Sequence, residues 1–427
     1  MKILWLCNMV PAFIAGTMKQ KKHYKEGWIL GAYEEIKNQE SPEVAFAFPV
    51  SQEELVKGDI LRGEAEGARY YGFYEDTEHP EKYDKALEAS LGLICEEYHP
   101  DVIHCYGTEF PHTRAMLRVT EWRDRVMIHI QGVMSDCAKQ YYGMLPERVI
   151  KSVTFRDRIK KDSIVSQKEK YLLRAANEEE ALKNVRYVCG RTEFDKNAVA
   201  EINPSCRYFS LNETMRNCFY DGRWSEKKCI PHSIFMTQGN IPLKGLHVML
   251  EAMPAILEHY PDTILEVAGD DVIRGKSLKD RIKLPAYGKY LKELIEKNGL
   301  KERVKFLGPL SAPQIKKKYL SCNVFVLPSF IENSPNSLGE AMLLGVPVVA
   351  SKTGGIPSLV EDGKEVLLTE PGDSAMLAER VLDIFDDGMF AELLGENAAA
   401  RAALTHDRMA NYKMLTWIYE EIAKENG

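Results

Sequence analysis

Short apolar runs alternate with longer amphipathic segments twice over in this chain, and that alternation restricts the fold more than any other feature. The first round places strands at Ile3–Cys7, Val44–Phe48, Val102–Cys105, Val126–Ile130 and Tyr187–Cys189, with helical patterns such as Tyr83–Tyr98 and Glu109–Val119 between them. After Ser205 it restarts, with Ile234–Gln238, Ile264–Ala268, Val304–Leu307, Val324–Leu327, Val346–Ala350 and Val366–Leu368 separated by helices that include Gly245–His259 and Pro313–Leu320. Strand–helix alternation of this kind builds parallel sheets with right-handed crossovers. Two rounds predict an α/β chain of two doubly wound, Rossmann-like lobes, with ligands at the carboxyl ends of the strands and, for two lobes, in the cleft between them. A length of 427 residues exceeds one ordinary core. The join is expected near Asn203–Ile230, where Phe219, Tyr220 and Trp224 argue for a packed connection.

Composition excludes several classes. A formal charge of -7 lacks the basic footprint of a nucleic-acid binder. The nine cysteines are scattered with no C-x-x-C, so neither a zinc site nor a disulfide framework is indicated. The opening MKILWLCNMVP is too quickly polar for a signal peptide and reads as a first buried strand. No apolar run approaches the roughly 18 residues that span a bilayer. The expectation is a cytoplasmic protein. One basic stretch, 147–174, holds nine basic against four acidic residues. It reads either as a solvated helix face or as a surface for anionic lipid headgroups at the inner face of the plasma membrane, which Lys19, Lys21, Lys22 and Lys25 would extend.

The most informative segment is VFVLPSFIENSPNSLGEAMLLGVPVVASKTGGIP, Val324 to Pro357. A wholly apolar run ends at Pro328, Ser334 and Pro335 look like an N-cap and first helical residue, and Gly345 with Pro347 stops the helix. The segment is strand, loop, helix, with the helix beginning near Asn336. Free N–H groups and the dipole at such an end favour a phosphate. Glu332 precedes that end and Glu340 lies inside the helix. Carboxylates on both sides of a phosphate cradle suit neutral hydroxyls on either side of it, and a ligand with hydroxyls, phosphate, then hydroxyls is a nucleotide sugar. Upstream, Lys244-Gly245 heads an amphipathic helix, where a lysine is placed to neutralise phosphate oxygens.

These pieces, QGNIPLKGLHVMLEAM, LEVAGDD, VKFLGPLS and PSFIENSPNSLGEAMLLGVPVVASKTGGIPSLVEDG, resemble the family-4 retaining glycosyltransferases of the GT-B fold, strongly from about Phe235 to Leu368. PDVIHCYG and MIHIQGVMSD carry a looser likeness in the N-terminal half. The resemblance implies an acceptor-binding domain over 1–208, a nucleotide-sugar-binding domain over 209–407, and a C-terminal helix over 408–427 for which the N-terminal lobe is the candidate partner. It implies that Glu332 contacts donor-sugar hydroxyls, Glu340 the donor ribose, and Lys244 the diphosphate. Ser334, Asn336 and Ser337 would complete the phosphate cradle beside Gly239 and Asn240, Gly354 and Gly355 would shape the next turn, and Gly16, in a loop after the first strand, would let the donor phosphate approach. Cell-surface polysaccharide assembly is the commonest setting of such relatives, with a glycan or lipid-linked acceptor.

Two departures from the family pattern stand out. Asn240 occupies the place of an arginine that gives the diphosphate a second cation, and Arg191 and Arg216 are the candidates to replace it. Gln131 occupies the place of a histidine that faces the donor sugar; it keeps hydrogen-bonding capacity but carries no proton. His104 is expected to line the cleft, and His129 shares the strand face of Gln131. No D-x-D occurs, and with Lys244 and a helix end at hand neither a metal nor another cofactor is expected. Two other readings share the architecture, a nucleotide-sugar epimerase with no acceptor and a non-catalytic two-lobed sugar-binding protein. The pairing of Lys244-Gly245 with the two acids favours the transferase.

Overall fold

The computed structural model describes residues 1–18, 27–51, 55–76, 78–79, 81–273 and 283–426. It consists of two compact units, one formed by 1–135, 170–214 and 406–427, the other by 136–169 and 215–405. Lys19, Lys21, Lys22 and Lys25 lie outside the described residues.

The first unit is built on eight strands: β1 (Lys2–Leu6), β2 (Glu43–Val50), β3 (Ile60–Ala65), β4 (Ala68–Tyr74), β5 (Val102–Tyr106), β6 (Val126–His129), β7 (Tyr187–Gly190) and β8 (Arg207–Ser210). They are ordered β3-β4-β2-β1-β5-β6-β7-β8, and every neighbouring pair is parallel except β3 with β4. Because parallel strands are covered on both faces, alternate residues serve two cores. Trp5, Phe46, Tyr106, Met127 and Cys189 face one, shared with Leu415, Ile418, Tyr419 and Ile422 of the helix Arg408–Asn426. Leu4, Ala45, Ile103, Ile128 and Val188 face the other, shared with Leu91, Ile94 and Tyr98 of the helix Ala86–Tyr98.

Three of these strands are not visible in the alternation. β3 and β4 form a hairpin around Glu66-Gly67, both with positive φ (48° and 84°), as a two-residue type I′ turn requires. The polar outer residues of β3 (Arg62, Glu64) hide its strand period. β8 is a short edge strand inside the stretch read as the join.

The second unit has six parallel strands, β9 (Ser233–Met236), β10 (Ile264–Ala268), β11 (Val304–Gly308), β12 (Val324–Leu327), β13 (Val348–Ser351) and β14 (Leu367–Thr369), ordered β11-β10-β9-β12-β13-β14. This is the doubly wound order, reversing between β9 and β12. β13 begins two residues later than the apolar run suggests, after Pro347, which has no N–H to give the ladder.

A cut at 208/209 leaves 136–169 with the first domain, whereas the structure groups them with the second unit. Specific bonds explain this. His247 Nε2 bonds the Gly143 carbonyl at 2.7 Å, the Asp157 carboxylate accepts from Ala286 N–H at 3.0 Å, and Arg148 pairs with Glu293 at 3.0 Å. Burial lowers the His247 pKa to about 4, so the ring is neutral and donates its single N–H there.

Because Ile418 is fully buried in the first unit's core, Ile418→Ala is expected to lower stability by about 2–5 kcal/mol. Thermal unfolding by circular dichroism measures this; a melting temperature equal to wild type would mean the helix does not complete that core.

Candidate functional site

The loops that leave β9 and β12 lie at the reversal of strand order, where a doubly wound sheet holds its ligand. Two close backbone approaches shape them. Gly245 has φ 69°, and a Cβ there would stand 1.8 Å from the Pro328 carbonyl oxygen. Gly354 has φ 52°, and a Cβ there would stand 2.0 Å from the Glu332 carbonyl oxygen, which also accepts from Gly355 N–H at 2.9 Å. Phe330 N–H bonds the Leu243 carbonyl at 2.8 Å, and Thr353 Oγ1 donates to the Phe330 carbonyl at 2.8 Å. The loop 328–335 is thus held from both sides by main-chain atoms.

Within that frame Glu332 Oε1 accepts from Lys244 Nζ at 2.6 Å and from Ser329 Oγ at 2.8 Å. Lys244 closes a short 3-10 turn, Pro242–Lys244, which aims it across the loop. The helix Asn336–Leu343 follows; Pro335, not Ser334, is its N-cap, and no side chain caps it. Ser334, Asn336 and Ser337 are half-buried at this end. Gly239 is buried and Asn240 half-buried just past β9. Glu340, 4% exposed, takes two bonds from Arg216 on one oxygen, Nε at 2.9 Å and Nη2 at 2.5 Å. Burial raises the Glu340 pKa to about 7, and the adjacent guanidinium opposes that rise. Each of the two acids therefore has its own cation, a pairing that no spacing in the chain reveals: Arg216 lies 124 residues from Glu340.

Several expected residues take other places. Arg216 is engaged with Glu340. Arg191 belongs to the first unit and is paired with Glu213 at 2.7 Å, both side chains almost wholly buried. His104, also in the first unit, is fully buried and does not line an open cleft; its ring stacks on Tyr106 and His129. Gln131 follows β6 and donates to Glu213 at 3.4 Å. Gly16 lies within the helix Ala12–Thr17, not in a loop.

Residues 232–401 match the family model described as Glycosyl transferases group 1. The D-inositol 3-phosphate glycosyltransferase of Corynebacterium urealyticum is 32% identical over 161 residues, 38% of this chain and 36% of that protein. The sulfoquinovosyl transferase SQD2 of Arabidopsis thaliana is 28% identical over 187 residues, 42% of this chain and 33% of that protein. The chain thus spans about a third of the length of these curated relatives. Across 99% of both chains it superposes on sucrose-phosphate synthase from Thermosynechococcus elongatus with TM-score 0.72 at 16% identity. Anabaena HepE, solved in complex with UDP-glucose, superposes with TM-score 0.63 at 18% identity, over 99% of this chain and 100% of that one. The architecture is that of the GT-B fold, two Rossmann-like α/β domains, and the likeness to the family-4 glycosyltransferases is carried by the second unit.

Glu340 has a folded pKa above its ordinary 4.5, so its contribution to stability is complete below about 4.5 and is lost as pH rises through about 7. Arg216→Met leaves that acid without its cation. The stability deficit of this variant is expected to be small near pH 5, where Glu340 is protonated, and to grow toward about 3–5 kcal/mol as pH passes 7. Denaturant melts across that range measure it; a deficit that does not change with pH would show that the pair is not ionic.

Proposed function

We propose that the chain is a retaining, metal-independent glycosyltransferase that moves a hexosyl group from a nucleotide-sugar donor to a glycan, lipid-linked or other acceptor in cell-surface polysaccharide assembly. One observation carries the reading: two cation-paired carboxylates flank an uncapped helix end at the reversal of a doubly wound sheet. The match of 232–401 to group 1 glycosyl transferases supports it, as do solved HepE structures with UDP and with UDP-glucose, which make uridine donors the first to test.

In this reading the diphosphate settles on the amino end of the helix Asn336–Leu343 and draws Lys244 from Glu332. Glu332 is released to accept from sugar hydroxyls and to face the positive charge that develops as the sugar–phosphate bond breaks. Arg216 stays with Glu340 and favours its ionised form against the opposing effect of burial, so that it accepts from the ribose hydroxyls. The leaving diphosphate is stabilised by the lysine ammonium and main-chain N–H groups, without a divalent ion at that point.

The two acids are distinguished by substitution. Glu332→Gln is expected to lower kcat while leaving UDP affinity near wild type, since UDP carries no sugar. Glu340→Gln is expected to weaken UDP and UDP-sugar alike by about ten- to a hundredfold, the loss of a charged hydrogen bond. Calorimetric titration with UDP beside steady-state kinetics separates them, and turnover is expected to persist in EDTA. Equal damage to UDP binding by both variants would refute the assignment of the acids to opposite ends of the donor.

An anionic membrane is proposed as the surface where acceptor is met. On the short helix Phe155–Lys160, Phe155 is 63% and Ile159 64% exposed, beside exposed Arg158, Lys160 and Lys161. Apolar groups amid cations suit a headgroup interface. Lys168, half-buried with its ammonium over the Tyr142 ring, is a weaker candidate for that surface. No helix among the described residues is long and apolar enough to cross a membrane. Reversal of Arg158, Lys160 and Lys161 to glutamate is expected to weaken partition onto anionic vesicles, each charge being worth about 1 kcal/mol. Unchanged partition would return the segment to a solvated helix face.

A further inference from the structure

We propose that the first unit contains a buried transition-metal site of the Zn²⁺ class, with His104 Nε2, a ring nitrogen of His129 and Cys189 Sγ as its protein ligands. The three residues sit on consecutive strands β5, β6 and β7, on one sheet face; His129 is directly opposite Cys189, and His104 is one pleat away. All are within 3% of complete burial, and their ligating atoms lie within 4.8 Å of one another. Cys189 Sγ and His104 Nε2 are 3.9 Å apart. Tetrahedral zinc with Zn–S of about 2.3 Å and Zn–N of about 2.0 Å needs ligand separations of about 3.5 Å, so a small contraction closes the set.

The histidines point to an occupant independently of the spacing. Neither ring nitrogen of His129 has a hydrogen-bond partner, although both are buried, and its nearest carboxylate oxygen, on Glu213, is 3.9 Å away. Buried imidazole nitrogens are rarely left so. His104 has the support that metal-bound histidines have: its Nδ1 is 2.7 Å from the Tyr419 hydroxyl, which itself accepts from Trp5 Nε1 at 2.9 Å. A divalent ion binds the thiolate, so its binding at Cys189 Sγ displaces the thiol proton to water. Beside His129 a cavity of ≈ 20 Å³, lined by Tyr106, Glu213, Asn411 and Tyr412 among others, has room for one water, though neither His104 nor Cys189 lines it. The donor set is nitrogen and sulfur, unlike the oxygen ligands that Mg²⁺ or Ca²⁺ takes. The site is separate from the donor chemistry proposed above and stands whether or not that reading holds.

The test uses the intact chain, loaded with Co²⁺ or Zn²⁺ and dialysed against metal-free buffer. About one equivalent of metal per chain is expected by mass spectrometry, with a thiolate-to-cobalt charge-transfer band in the near ultraviolet. Cys189→Ala and His129→Phe are expected to lose the band, Cys95→Ala, on a helix in the core across the sheet, to keep it, and Tyr419→Phe to weaken affinity about 10- to 100-fold. A folded wild-type chain that retains no metal and shows no band overturns the proposal, and so does a band that survives Cys189→Ala. The wild-type measurement decides even if a variant does not fold.

Discussion

Main-chain atoms, not side chains, determine where the two acids stand. The carbonyl of Pro328 fills the space a Cβ of residue 245 would need, and the carbonyl of Glu332 does the same at residue 354. A segment between a buried strand and a helix is thereby pinned at two points by contacts that tolerate no side chain. Lys244 takes its direction from the same turn that brings Gly245 against the loop, so the cation and the acid it meets are set by one backbone constraint. Two charged groups held this way need little reorganisation to meet a ligand's charge, which is how preorganised sites gain their electrostatic leverage.

The two ion pairs are not equivalent. Arg216 and Glu340 are well covered, with side-chain exposures of 17% and 5%, and both guanidinium bonds fall on one carboxylate oxygen. Breaking such a pair leaves an uncompensated buried charge, so the pair is a permanent part of the unit. Lys244 and Glu332 are more open, at 24% and 11%. A long flexible ammonium in contact with water exchanges partners at small cost. Glu340 is held by the more covered cation and Glu332 by the more open one.

Much of this was legible in the chain, for identifiable reasons. Parallel strands buried on both faces are short unbroken apolar runs, which is why the six strands of the second unit stand out, and a proline and a glycine mark the ends of the helix after β12. What escaped was long-range or amphipathic. β3 alternates polar and apolar residues at a sheet edge; β8 lies among the aromatics of the join; Arg216 finds Glu340 only through the fold. His104 looked accessible because it is near the carboxyl end of β5, but Tyr419, far along the chain, covers it. Residues 136–169 follow the first unit in sequence, yet Asp157 and Gly143 bond to groups of the second.

The helix Arg408–Asn426 supplies core residues to the first unit although the whole of the second unit precedes it in the chain. Synthesis from the amino end therefore delivers every residue of the second unit before the first can close. Domains usually mature in the order in which they emerge; here part of the cover over Trp5, Met127 and Tyr187 is made only with residues 408–426. A nascent chain of this design carries part of that apolar face without its final cover until late in its production, which leaves it open in the interval to whatever binds unpaired hydrophobic faces.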